Sequence, residues 1–158
     1  MELTELLGEL GKLIGLELRL DESGSCMLAV DDMSVVIQDV SEAFAVGFWG
    51  KIGRTPPEGQ LQLCQLMLEA NHLFRATAGA TISRNPESGE FFLCRLLDLR
   101  GLDAETFISN LEKFVNVLES WQRLVADYRP GAAPDGRRES ARSEGGGLQD
   151  LCGGFIRI

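Results

Sequence analysis

The stretch TPPEGQLQLCQLMLEANHLF, residues 55–74, decides the fold, because it predicts one helix between two groups of strands. Thr55 suits the N-cap, Pro56 suits the first helical position, and Glu58 completes a capping box with Thr55. Polar side chains recur at intervals of three and four residues and form one narrow stripe, which comprises Gln62, Gln65, Glu69 and His72. The rest of the helix surface is apolar, and its area is larger than one sheet face can cover. We therefore expect this helix to be covered on two sides.

The apolar surface of this middle helix divides into two arcs. One arc contains Leu61, Cys64 and Leu68, and the sequence alone does not settle which arc faces the sheet. Excess apolar surface on an acidic chain is covered by self-association or by a partner, and an isologous dimer is the simplest closure. We assign the predicted dimer interface to the other arc and its neighbours, which are Leu63, Met67, Ala70, Asn71 and Phe74.

The segment before the middle helix predicts one helix and a β-meander. Apolar residues recur at helical spacing over Leu3–Ile14, and Gly15 suits a left-handed C-cap. Leu16, Leu18 and Leu20 then alternate with charged residues as in a half-buried strand. Three further β-rich runs follow and predict consecutive antiparallel strands, at Cys26–Val30, Ser34–Gln38 and Ala43–Gly50.

The segment after the middle helix predicts a hairpin and a long helix. The runs Ala80–Arg84 and Glu90–Leu99 flank turn residues Asn85–Gly89. Asp103 then suits the N-cap of an amphipathic helix of about five turns. The sequence thus predicts an α+β protomer of order α-β-β-β-α-β-β-α, with a twisted antiparallel sheet flanked by helices.

The composition changes after Tyr128 and predicts two parts, an α+β domain over residues 1–128 and a flexible tail over residues 129–158. The tail is rich in Pro, Gly and Arg, but its last eleven residues are apolar again. This end either docks on a surface or is a poorly constrained terminus. One hypothesis is that Phe155–Ile158 covers the binding groove for a partner.

The charge pattern excludes several classes of function. The chain has 158 residues and a net charge of −9, and residues 1–128 contain 20 Asp and Glu against 10 Lys and Arg. Such a domain repels nucleic acids and anionic lipid. No apolar run is long enough to span a membrane, and the N-terminus has glutamates where a signal peptide has basic residues. We therefore expect a cytosolic protein without nucleic-acid binding or membrane insertion.

The sequence lacks the residue patterns of catalytic and metal sites. The four cysteines are scattered without a close pair, which is typical of reduced, packed thiols. The single histidine, His72, lies on the polar stripe of the middle helix, where a solvated side chain is expected. The glycines around Trp49 lack the spacing of a phosphate-binding loop. We expect no enzyme activity, no cofactor and no metal, and a function in binding another protein.

These segments together resemble the class I type III secretion chaperones, the Tir-chaperone type of small acidic bacterial proteins. The resemblance covers residues 1–128. It rests on the leucine-rich first helix with Ile14-Gly15-Leu16, the opening Leu20–Cys26, the segment Leu68-Glu69-Ala70-Asn71, the apolar strand Phe91–Leu97, and a last helix with Phe114 and Trp121. The tail over residues 129–158 departs from this pattern, since it is longer and more basic.

The resemblance implies a cytoplasmic bacterial homodimer that binds the extended N-terminal segment of a secreted effector and keeps it secretion-competent. It also implies that the effector adds a strand to a sheet edge and places apolar side chains near the first helix. The client-binding residues implied in this sequence are Leu6, Leu10, Ile14, Leu16, Leu18 and Leu20. Ordinary core packing is the alternative for each of them. A regulatory protein of the same fold that sequesters a transcriptional regulator is the alternative function.

Overall fold

The computed structural model describes residues 2–54 and 58–130, which form three long helices and one five-stranded antiparallel sheet. The strand order is β1-β2-β3-β5-β4, so β1 and β4 are the edges. The predicted order α-β-β-β-α-β-β-α is confirmed. The elements are α1 (Leu3–Ile14), β1 (Ser25–Val30), β2 (Met33–Val40), β3 (Ala45–Arg54), α2 (Gln60–Asn71), β4 (Thr81–Arg84), β5 (Glu90–Asp98) and α3 (Ala104–Asp127), with 3-10 turns at Ser41–Ala43 and His72–Phe74.

The hydrophobic core lies between one face of the sheet and the helices. Phe48 of β3 lies at its centre and contacts the rings of Phe107 and Phe114 on α3, with centroids 5.6 and 5.7 Å apart. α3 approaches β3 closely, because a Cβ added at Gly50 would lie 2.3 Å from a methyl group of Leu118. Buried side chains of α1, α2 and α3 belong to one core cluster with the strands. The helices therefore cover this inner face.

The long C-terminal helix begins as predicted. The carboxylate of Asp103 accepts a hydrogen bond from the backbone N–H of Thr106 at 2.7 Å. This N-cap bond and the bond with the side chain of Thr106 lower the pKa of Asp103 below its ordinary value. Six apolar side chains of α3 are buried at intervals of three and four residues, namely Phe107, Leu111, Phe114, Leu118, Trp121 and Val125.

The middle helix begins later than predicted. α2 starts at Gln60, and Gly59 before it has φ 82°, a left-handed conformation that a right-handed helix cannot include. A helix that continues from residue 56 through Gly59 is therefore wrong, while the predicted cap residues 55–57 lie outside the described residues. The hydroxyl of Tyr128 donates to the carbonyl of Gly59 at 3.2 Å, so the end of α3 helps to hold this turn.

Gly15 ends α1 in the left-handed conformation, with φ 71°, as predicted. The strand predicted over Leu16–Leu20 is wrong, because this segment has no ladder with a neighbouring strand. Its first residue folds back on the helix instead, and the Leu16 N–H donates to the carbonyl of Gly11 at 3.0 Å. The chain therefore leaves α1 as an extended loop.

The division into a domain and a tail stays a prediction, since residues 131–158 lie outside the described ranges. Cys26, Cys64 and Cys94 are free thiols, and Cys152 lies outside those ranges. In residues 2–54 and 58–130, no helix has the length and apolar character that crossing a membrane requires.

Candidate functional site

Besides Phe44 in the turn before β3, the large apolar side chains exposed in the described chain lie on three surfaces, and we name each by its position. The α1-end patch comprises Leu13, Ile14 and Leu16. The α2 face comprises Leu61, Leu68, Leu73 and Phe74. On the outer sheet face, opposite the helices, Met27 and Leu96 are exposed, and Val36, Trp49, Phe92 and Cys94 beside them are half-buried. Exposed apolar surface of this extent is typical of a protein that binds other proteins.

The α1-end patch results from the tight return of the chain at Gly11 and Gly15. A Cβ at Gly11 would lie 2.4 Å from the carbonyl oxygen of Leu16, so only glycine permits this approach. The turn leaves Leu13 66% exposed, Ile14 41% exposed and Leu16 55% exposed. The patch is therefore a surface that local backbone geometry imposes.

The predicted client-binding residues fall into three environments. Leu6 and Leu10 are buried in the core of the protomer, so their side chains are not available to a client. Ile14 and Leu16 lie on the α1-end patch. Leu18 and Leu20 are half-buried and pack against the core. The prediction did not include Leu13, although its position one residue before Ile14 on an amphipathic helix was the available signal.

The edge of β1 lies next to the loop that leaves this patch. The N–H of Asp39 donates to the carbonyl of Gly24, so these two residues form a hydrogen-bonded pair. Hydrogen-bonded and non-hydrogen-bonded pairs alternate along an antiparallel ladder, and the N–H and C=O groups of Met27 and Ala29 therefore point away from β2. Asp21 occupies the outward groups of Ser25, since its N–H donates to Ser25 O at 2.8 Å and its carboxylate accepts from Ser25 N at 3.0 Å. The rest of β1 is an open edge in the described chain.

The opposite edge of the sheet is capped by a side chain. The amide of Asn71, at the end of α2, donates to Ile82 O at 3.1 Å and accepts from Ile82 N at 2.8 Å. This pair imitates the hydrogen bonds of a neighbouring strand at one position of β4. Asn71, predicted in the dimer interface, therefore joins α2 to β4 within the protomer.

The two arcs of α2 lie opposite to the prediction. Leu63, Met67 and Ala70 are at most 2% exposed and belong to the core of the protomer. Leu61 and Leu68 are 78% and 71% exposed. Among the predicted interface residues, only Phe74 carries an exposed apolar side chain, and the apolar surface that α2 exposes is the α2 face.

The segment after α2 extends this face with an unusual backbone. Leu73 and Phe74 both have φ 55°, a left-handed conformation that is unfavourable for residues with a Cβ. Their side chains are nevertheless 63% and 53% exposed. Backbone strain that presents apolar side chains to solvent is typical of functional surfaces. This observation favours a binding role for the α2 face.

The outer sheet face carries one continuous row of side chains across all five strands. Registered neighbours place Met27, Val36, Trp49, Cys94 and Thr81 in this row. The Trp49 ring lies over Gly47, where an added Cβ would be 1.8 Å from the ring. A recess of about 470 Å³ opens beside it, lined in part by Trp49, Arg84, Pro86, Phe92 and Cys94. Burial raises the pKa of the Cys94 thiol, while a hydrogen bond with Ser83 acts in the opposite direction.

The titratable side chains of the described residues do not form a metal centre. His72 is exposed, as predicted. In residues 2–54 and 58–130, no three His, Cys, Asp or Glu side chains are grouped closely enough to hold a metal ion. The main feature of the described residues that suits binding is exposed apolar surface, together with the open edge of β1.

Comparison with protein families identifies the chain. Residues 5–122 match the Tir chaperone protein (CesT) family, and the chain therefore belongs to that family. No curated protein sequence matches it. Membership confirms the resemblance stated from the sequence, and it supports the interpretation of the chain as a chaperone rather than an enzyme.

Solved structures of similar fold agree with this family. The ExsC–ExsE complex contains a chain that is 25% identical, with a TM-score of 0.68, and the match covers 83% of this chain and 96% of that one. The HopA1–SchA chaperone–effector complex matches at 15% identity and TM-score 0.64, over 77% and 93% of the two chains. The Yersinia pestis type III secretion chaperone SycH, in complex with a fragment of YscM2, matches at 17% identity and TM-score 0.60, over 76% and 99%.

Proposed function

We propose that this protein is a bacterial cytoplasmic type III secretion chaperone, which binds the extended N-terminal segment of a secreted effector and keeps it competent for secretion. The observation that carries this proposal is the α1-end patch beside the open edge of β1. Family membership and the chaperone–effector complex of similar fold support it.

The patch and the edge suit an extended peptide. The outward backbone groups of Met27 and Ala29 can pair with a peptide strand, which is the β-augmentation mode of recognition. The loop from Leu16 leads to the N-terminal end of this strand, where Asp21 contacts Ser25. Apolar client side chains can then reach Leu13, Ile14 and Leu16. The proposed client-binding set omits Leu6 and Leu10, because both are buried in the core, and Leu18 and Leu20, because they are half-buried and pack against it.

The proposal includes a homodimer formed through the α2 face. This surface presents large apolar side chains, and its polar neighbours Gln62, Gln65 and Glu69 form a rim. Self-association there would remove Leu61, Leu68, Leu73 and Phe74 from water together. The α1-end patch and the outer sheet face then remain available for other contacts.

The test is purification of the tagged chain from its native bacterium, followed by mass determination of the intact complex and limited proteolysis. We expect two copies of the chain with one effector, whose N-terminal segment becomes resistant to protease. A partner that the cell never exports would instead support the alternative of a regulatory protein that sequesters a transcriptional regulator. A monomer without a partner would contradict both.

A matched pair of variants locates the client site. Leu16→Asp is expected to weaken binding of the captured effector segment by about 30-fold, since it places a charge in an apolar contact. Thr4→Asp introduces the same charge at an exposed position of α1, away from the patch, and should leave affinity within about twofold. Equal effects of the two substitutions would place the client site elsewhere.

A further inference from the structure

The outer sheet face is the third exposed apolar surface, and neither the proposed client site nor the proposed dimer interface uses it. Met27 and Leu96 are 71% and 61% exposed on it, and Val36, Trp49 and Cys94 are half-buried between them. All three helices lie on the opposite face of the sheet. A half-exposed apolar band that crosses β1, β2, β3 and β5 is typical of a surface that another segment or protein covers.

We propose that this face is the docking site of the chain's own C-terminal segment, residues 148–158. This segment is apolar in an otherwise polar tail, and its apolar residues are Leu148, Leu151, Phe155, Ile156 and Ile158. Phe155 is aromatic, and Ile156 and Ile158 are β-branched, so these three residues suit contact with a pleated surface. The docked segment occupies the row around Trp49 and Cys94.

The point at which the described chain ends favours this occupant. Pro130 packs against Gly59, where an added Cβ would lie 2.9 Å from its ring. Just before Pro130, α3 reaches the end of β3, since a Cβ added at Gly53 would lie 3.2 Å from a methyl group of Val125. At this end of β3, Arg54 donates to the carbonyl of Ser88 in the β4–β5 turn at 2.8 Å. The recess on the outer face is lined by this same turn, including Pro86. The tail therefore starts at the end of the sheet where the recess opens.

The chain between Pro130 and the apolar segment is long enough to reach the row on the outer sheet face. Residues 131–147 separate Pro130 from the apolar segment and are rich in glycine. A chain of this length can span at most about 56–61 Å. Four inter-strand spacings amount to about 19 Å, so the segment can reach the whole row.

Charge complementarity favours the same contact. Residues 129–158 contain five Arg against four Asp and Glu, whereas residues 1–128 contain 20 acidic against 10 basic residues. The tail therefore has a small net positive charge, and the acidic domain attracts it. A tethered segment has an effective concentration of about a millimolar, so weak docking is sufficient for high occupancy.

Alkylation of Cys94 tests this proposal without any client. The full chain is treated with iodoacetamide, and each cysteine-containing peptide is quantified by mass spectrometry. We expect the double substitution Phe155→Asp and Ile158→Asp to accelerate alkylation of Cys94 about tenfold, because an intramolecular contact at millimolar effective concentration protects it. Cys64, half-buried on α2, is the internal control, and Arg157→Lys is the matched control variant.

A reciprocal variant tests the other side of the contact. Leu96→Asp on the sheet face is expected to accelerate alkylation of Cys152, which lies within the docking segment. Equal Cys94 rates in the parent chain and the double variant would overturn the proposal. So would protection of Cys94 that increases with chain concentration in both proteins, since it would identify a second copy as the occupant. Neither result bears on the effector-binding proposal, because no effector is present.

Discussion

The α2 helix carries two apolar arcs, and the core of the protomer covers only one of them. Leu63 and Met67 are 0% and 2% exposed, while Leu61 and Leu68 on the other arc are 78% and 71% exposed. The two pairs have similar hydrophobicity, so composition does not explain the difference. The rotation of the helix does, and it is set by the left-handed Gly59 at one end and by the bonds of Asn71 to β4 at the other.

The same contrast occurs within α1 and the loop that follows it. Leu6 and Leu10 are buried, whereas Leu13 and Leu16 are exposed after the chain turns at Gly15. The buried set belongs to the core, whereas the exposed set forms the apolar surface at the end of α1. The comparison teaches that stability and binding depend on different leucines of the same elements.

The largest expected difference is in stability. Met67→Ala should lower the free energy of unfolding by about 3 kcal/mol, because it leaves a cavity in the core. Leu68→Ala removes an exposed side chain from the same helix and should change it by about 0.5 kcal/mol or less. Urea unfolding at low chain concentration limits the contribution of self-association. Similar losses for both variants would contradict the separation of the two arcs.

The second prediction concerns self-association. Leu68→Glu should raise the dissociation constant of the dimer by about a hundredfold or more, since each copy places a charge in the apolar interface. Gln62→Glu adds the same charge to the polar stripe of α2 and is the matched control. Sedimentation equilibrium measures both. A Leu68→Glu dimer as tight as the control would exclude the α2 face as the interface.

The third prediction concerns the link that fixes the rotation of α2. Asn71→Ala removes both hydrogen bonds to the half-exposed edge of β4 and should destabilise the protein by about 2 kcal/mol. Hydrogen exchange of the Ile82 amide should accelerate at the same time. Asn110→Ala, which removes a local bond to the carbonyl of Thr106 on α3, is the control. Unchanged exchange at Ile82 would show that the bond does not hold the edge.

The smallest expected effect is at the strained segment after α2. Ala78 is exposed with φ 48°, and glycine adopts this conformation without the clash of a Cβ. Ala78→Gly should therefore stabilise the protein by about 0.5 kcal/mol, although the greater entropy of the unfolded chain opposes the gain. Ala78→Ser keeps the Cβ and should change little. Thermal unfolding of the two variants gives the comparison, and destabilisation by glycine would contradict the strain argument.

Periodicity was sufficient to predict most of the elements, because each depends on a short stretch of chain. The helices α1 and α3, the Asp103 cap, the Gly15 terminus and the five strands follow from local spacing and turn chemistry. The predicted strand at Leu16–Leu20 was wrong, because alternation shows which side chains share a side but not whether a partner strand is aligned. The predicted start of α2 was wrong, because Gly59 adopts a left-handed conformation next to Tyr128 and Pro130, which are distant in the sequence.

The candidate surfaces were harder to predict than the elements. Burial of Leu6 and Leu10 requires contact with α3 and the sheet, which lie far away in the sequence. The row from Met27 to Cys94 is completed by the pairing of β3 with β5, in which Trp49 and Cys94 are more than forty residues apart, and no local pattern contains that register.

The sequence by itself determined the order of the elements, the acidic charge and the excess of apolar side chains, since these are properties of residue type and spacing. Only the tertiary structure decided which apolar side chains are covered. Helix periodicity predicts two apolar arcs on α2 but does not show which of them is buried. Because Met67 packs into the core, Leu68 on the other arc remains on the surface. A side chain is buried by contact with another element, whereas the spacing of apolar residues in one element shows only which of them share a face.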